Sequence, residues 1–188
     1  MRQRFNPLLD DPPIVADIGG EPVRIETDYR VVLSYLRLLR EDISDEEKAI
    51  LGLNLFCPLE KITDITEFAK YIDWFIRLGE EPQENRKEKP VFDILQDSDK
   101  VFAAFYQVYR IDLRHVRMHW WIFYTLLMNL PKDTKLADIV ELRGRKVEKW
   151  MDAQARIELA RAQNYYRLDE PSGDIMADVF TMLAGIAQ

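Results

Sequence analysis

Apart from one short segment around Gly19-Gly20, the apolar residues of this 188-residue chain recur mostly three and four positions apart. That is the period of a helix face, so the spacing limits the fold to a helical assembly with at most a small β element. The β element is a hairpin. Ile14 to Ile18 and Val23 to Ile25 alternate in character on either side of two glycines, which tolerate the positive φ of a tight turn.

From Thr27 the helical period takes over. Tyr29, Val32, Leu33, Leu36 and Leu39 predict a helix to about Arg40, with Thr27 or Asp28 as its cap. Ser44 stands three residues before Glu47, the capping-box spacing, and predicts a second helix ending before Pro58. Asp64 and Glu67 repeat that spacing ahead of a stripe of Phe68, Tyr71, Ile72, Phe75 and Leu78, which Gly79 can close. Residues 80–90 hold two prolines and no aliphatic or aromatic side chain, so they read as an exposed charged loop.

That loop separates a hairpin and helical part, residues 1–79, from a second helical part, residues 91–170, the two together making one domain. In the second part, helices are expected from about Asp97 to Tyr109 and from about Arg114 to Asn129, the latter stopped by Pro131. Thr134 can cap a short helix carrying Leu136, Ile139, Val140 and Leu142. After Gly144, a long charged helix from Arg145 to about Tyr166 would pack through Trp150, Ala153, Ile157 and Ala160 or Arg161. Residues 171–188 form an apolar C-terminal segment. The fold class is mainly α: a helical domain with a small N-terminal β-hairpin.

The formal charge of -7 disfavours duplex nucleic acid and anionic membrane surfaces as partners. Trp120 to Leu130, the most apolar stretch, is far shorter than the roughly 20 residues that span a bilayer. Two early arginines without an apolar run behind them do not make a secretory signal, so the expected location is the cytoplasm. Cys57 lies in an apolar run and reads as a small buried hydrophobe.

Candidate chemistry is sparse. His115 and His119 would share a helix face at a spacing that zinc sites use, with Asp112 as a conceivable third ligand, but no further Cys or His completes a site. Two basic clusters, Arg110, Arg114 and Arg117 with Lys132 and Lys135, and Arg143, Arg145, Lys146 and Lys149, read as solvated helix faces that could also dock an acidic partner. The chain has no Gly-rich phosphate loop, nucleophile elbow or Cys-x-x-Cys pair. No enzyme, metal or cofactor is expected. The run Trp120 to Tyr124 could in principle stack bases, but core packing is the simpler use of it.

Residues 97–133 carry Ala103-Ala104-Phe105, Tyr109-Arg110-Ile111-Asp112-Leu113, Met118-His119-Trp120-Trp121-Ile122-Phe123 and then Leu130-Pro131. This order of rare residues resembles the gene-product-fifteen family of bacteriophages, found in siphophages and prophages of Gram-positive hosts. The agreement runs from the early Asn6-Pro7-Leu8-Leu9 to about Arg145. Asp99, Phe105, Tyr109, Ile111, Asp112, Leu113, His119, Trp120 and Trp121 fall on the family motif. Family members are encoded between the major tail protein and the tape-measure protein. The resemblance therefore implies a tail-assembly role, as a chaperone for the tape-measure chain.

The motif itself can be read as structural, with Phe102, Phe105 and Tyr109 on one helix buried against His119, Trp120 and Phe123 on the next. Direct contact with a partner is the alternative. An adaptable apolar patch suits a chaperone, and Ile175, Met176, Val179, Phe180, Met182, Leu183 and Ile186 supply one; the same segment could instead fold back or join a homo-oligomer. A tail or connector subunit that assembles with copies of itself is the competing function.

Overall fold

The computed structural model describes residues 5–58, 64–80 and 90–169. Their elements are β1 (Val15–Ile18), β2 (Glu21–Arg24), α1 (Tyr29–Leu38), α2 (Asp45–Phe56), α3 (Ile65–Ile76), α4 (Ser98–Tyr109), α5 (Trp120–Met128), α6 (Lys135–Gly144) and α7 (Ala153–Tyr165). The fold is mainly α with one N-terminal antiparallel hairpin, as the periodicity predicts. Among the described residues no helix is long and apolar enough to cross a membrane.

The chain forms two compact units. The first takes the described residues up to 80 together with Arg117–Leu126, and the second takes residues 90–116 and those from 127 to 169. The expected division at the charged loop therefore has a refinement: most of α5 returns to the first unit.

In the first unit, Gly19 and Gly20 adopt φ of 66° and 82° and pair Ile18 with Glu21 across the turn. Ala16, Ile18 and Val23 turn inward. Asp28 caps α1 by accepting from the Arg30 N–H, and the Ser44–Glu47 box caps α2 as expected. Helices α1 and α2 approach closely because Gly52 has no side chain: a Cβ there would lie 2.7 Å from the Tyr35 ring. The box expected at α3 forms only by half. Asp64 accepts from the Glu67 N–H at 2.9 Å, but the Glu67 carboxylate takes the Gly19 N–H and so ties the hairpin turn to α3. Tyr71 makes a second tie by donating to the Val15 carbonyl at 3.2 Å, and burial pushes its pKa up to about 12. Cys57 is buried among these elements.

In the second unit, α6 begins at Thr134, whose hydroxyl accepts from the Ala137 N–H, and it buries Leu136, Ile139 and Val140. Two expectations fail here. The long helix from Arg145 does not form; residues 145–152 are non-helical and α7 starts at Ala153, capped by Asp152. Its inward side also differs. Trp150 is 70% and Ile157 47% exposed, whereas Leu159 is buried. Gln163 ties α7 to the end of α6: its amide donates to the carbonyls of Leu142 and Arg145 at 3.0 and 2.7 Å. Apolar spacing alone pointed to the wrong face.

Candidate functional site

The helix expected from Arg114 begins only at Trp120, because the residues before it are held in extended form beside the start of α1. Asp28 and His119 form an isolated antiparallel bridge: the Tyr29 N–H donates to Met118 and the Trp120 N–H to Thr27, at 2.9 and 2.7 Å. The Asp28 carboxylate also accepts from the Met118 N–H at 3.3 Å and from the Arg30 guanidinium at 2.7 and 3.0 Å. Burial works to raise the pKa of Asp28, but these bonds outweigh it and leave the carboxyl below its usual value.

The next three residues are all engaged. His119 places Nε2 2.9 Å from the Pro13 carbonyl, and its Nδ1 accepts from the Trp121 N–H at 3.1 Å. Those two partners select the neutral ring with its proton on Nε2. Burial lowers the His119 pKa, against the opposing pull of the Pro13 bond. The Trp120 indole, fully buried, donates to the Ile76 carbonyl at 2.9 Å, and the Trp121 indole donates to the Phe75 carbonyl at 2.8 Å. Phe75 and Ile76 are the last residues of α3, so the paired tryptophans bond to carbonyls at a helix end; that of Phe75 also accepts from the Leu78 N–H at 3.2 Å. Phe123 stacks on Tyr29 at 4.4 Å, and Phe5 meets Trp121 edge-on at 5.1 Å.

In the second unit the motif shapes the exit from α4. Phe105 is fully buried and Leu113 nearly so. Arg110 adopts the left-handed φ of 57°, which ends the helix, and the Ile111 N–H reaches back to the Phe105 carbonyl at 3.4 Å. The Asp112 carboxylate then accepts from the Arg114 N–H at 3.0 Å, a local turn, and from the Arg114 guanidinium at 3.0 and 2.7 Å. These Arg114 bonds push its pKa down to about 2. Tyr109 is half-buried against Phe105, and Asp99 lies exposed in the first turn of α4 beside Lys100.

The expected helical pairing of His115 with His119 does not occur. His115 sits in the exposed turn after Asp112, while His119 is committed to Pro13 and Trp121. Among the described residues no group of three or more His, Cys, Asp or Glu could hold a metal. Helix α4 belongs to the second unit, and the hydrogen-bond partner of the Trp120 indole to the first. Ile175, Met176, Val179, Phe180, Met182, Leu183 and Ile186 lie outside the described residues.

A buried polar centre went unread in the sequence. Arg143, assigned above to a solvated cluster, is enclosed and forms a two-pronged pair with Asp97 at 2.6 and 3.0 Å. It also donates to the carbonyls of Tyr166 and Val91, at 2.6 and 3.0 Å, joining the starts of α4 and the ends of α6 and α7. No local pattern announces a partner 46 residues away.

The family model described as Bacteriophage Gp15 protein matches residues 9–168. No curated protein and no solved structure matches the chain.

Proposed function

The chain belongs to the Bacteriophage Gp15 protein family, and from that membership we propose that it is a tail-morphogenesis protein, a tail-assembly chaperone that binds the tape-measure protein of its phage or prophage. The observation that carries this reading is the family match over residues 9–168, which spans every described element. The protein acts by binding in the cytoplasm of the bacterial host and performs no reaction. Its acidic balance argues against nucleic acid and anionic lipid as partners.

The chemistry of the chain supports such a role. The motif's most distinctive side chains, His119, Trp120 and Trp121, are consumed by internal hydrogen bonds, so recognition is left to other residues. The apolar segment from Ile175 to Ile186 offers two methionines among branched and aromatic side chains, a composition that can adapt to a long helical client.

The test is co-expression of the full chain with the tape-measure protein encoded at the same locus, followed by co-purification. The proposal expects a soluble complex that is lost in the variant Met176→Ser, Phe180→Ser, Leu183→Ser. An absent complex, with this chain recovered in finished particles as a discrete homo-oligomer, would replace the chaperone by a structural tail or connector subunit.

A further inference from the structure

Two ordered loops, one in each unit, display large apolar side chains with opposite charge beside them. In the first unit, Asn6 to Asp10 form a closed turn. Leu9 and Asp10 donate their N–H groups to the Asn6 carbonyl at 3.0 and 2.8 Å. The Asn6 amide accepts from the Leu8 N–H at 3.0 Å, and the Asp10 carboxylate returns to the Asn6 N–H at 2.8 Å. The turn carries Leu8 and Leu9 at 90% and 81% exposure, followed by the exposed Asp10 and Asp11.

In the second unit, the loop between α6 and α7 is anchored at both ends. Gln163 holds the Arg145 carbonyl at 2.7 Å, and the buried Met151 is fixed by its N–H to the Glu148 carbonyl and by Arg156 on its own carbonyl, at 3.2 and 3.0 Å. Between these anchors Val147 and Trp150 stand 60% and 70% exposed, interleaved with three exposed cations, Arg145, Lys146 and Lys149, against one exposed carboxylate, Glu148.

A leucine pair or an exposed tryptophan alone would name no partner. Together they are complementary: apolar beside acidic on one loop, apolar beside basic on the other. Both are held in place by hydrogen bonds, so docking loses little conformational freedom. Tryptophan at the centre of a contact and opposite charges at its rim are the pattern of a protein interface, with the charges setting register.

We propose that the Leu8-Leu9 turn of one molecule docks on the Val147–Trp150 loop of a second copy of this chain. Each molecule then carries one surface of each kind, so two copies can exchange both contacts in a closed pair, or successive copies can link head-to-tail into a ring or a row. The proposal does not rest on the tape-measure reading, and a chaperone or a structural subunit could equally be built this way.

The test uses sedimentation velocity of the full chain from about 10 µM to about 1 mM, a range suited to a small contact. The weight-average mass should rise above the 22.2 kDa of one chain and fall back when salt screens the rim. One variant removes the turn surface (Leu8→Ser, Leu9→Ser, Asp11→Lys), leaving Asp10 to hold the turn, and another removes the loop surface (Lys146→Glu, Lys149→Glu, Trp150→Ser). Each alone should stay a monomer with an unchanged circular dichroism spectrum. Mixed, they should form one-to-one pairs and nothing larger, because a single intact contact remains. A wild-type chain that stays monomeric throughout, variants that associate like wild type, or a mixture that remains monomeric would each overturn the proposal.

Discussion

Trp120 and Trp121 differ from Trp150 in everything but residue type. The motif pair is buried, with both indoles donating to the last carbonyls of α3, whereas Trp150 stands 70% exposed on an anchored loop between α6 and α7. The rarest residues of the family motif are therefore spent on holding the first unit together, and of these three tryptophans the one outside the motif is offered to solvent. A distinctive motif identifies a family through what its fold cannot do without. The surface by which such a protein meets others has to be sought elsewhere.

The comparison breaks most visibly at its buried end. Trp120→Ala opens a cavity in the first unit and leaves the Ile76 carbonyl without its donor, and should lower unfolding stability by about 3–5 kcal/mol in urea titrations. Arg143→Met takes the two-pronged partner from the buried Asp97 carboxylate and leaves it only Lys100 at 3.9 Å and the Asp93 N–H at 3.2 Å, a loss of about 3 kcal/mol by the same measurement. Because Arg143 also holds the Tyr166 carbonyl, this variant should loosen α7, read as faster amide exchange there than in the first unit.

A smaller effect comes from His119. Its pKa is lower in the folded chain than the ordinary 6.5, so the unfolded chain takes up the proton first as pH falls. The stability that the neutral ring contributes is complete above pH 6.5 and is lost as pH falls through the lower folded value. The depressed Asp28 carboxyl begins to act only below its ordinary 3.8, lower than the pH at which the His119 window opens. Urea midpoints of the wild type should decline over the upper window, and His119→Gln should flatten that decline.

Local chemistry was legible where a helix start depends on residues three or four apart. The Ser44–Glu47 box, Asp28 and Thr134 are placed as their spacing predicts, and so is the Gly19-Gly20 turn. What failed was decided by distant partners. Glu67 left its box for the Gly19 N–H, His119 pairs with Asp28 beside α1 where a helix was expected, and Gln163 reaches from α7 to the carbonyl after α6. Each is a hydrogen bond across many residues, and hydrophobic periodicity carries no trace of it. The Leu8-Leu9 turn was closer to hand, since Asn6-Pro7 is a turn signal, but the exposure of the leucines is not written in it.

The most direct test of the contrast makes one chemical change at two positions. Trp121→Phe keeps an aromatic ring but removes the donor to Phe75, and Trp150→Phe does the same at an exposed site with no such bond to lose. Urea denaturation of each, followed by far-ultraviolet circular dichroism, should show a loss of about 1–3 kcal/mol for Trp121→Phe and less than about 0.5 kcal/mol for Trp150→Phe. Equal losses, or the larger one at Trp150, would contradict the division between a structural motif and an outward-facing loop.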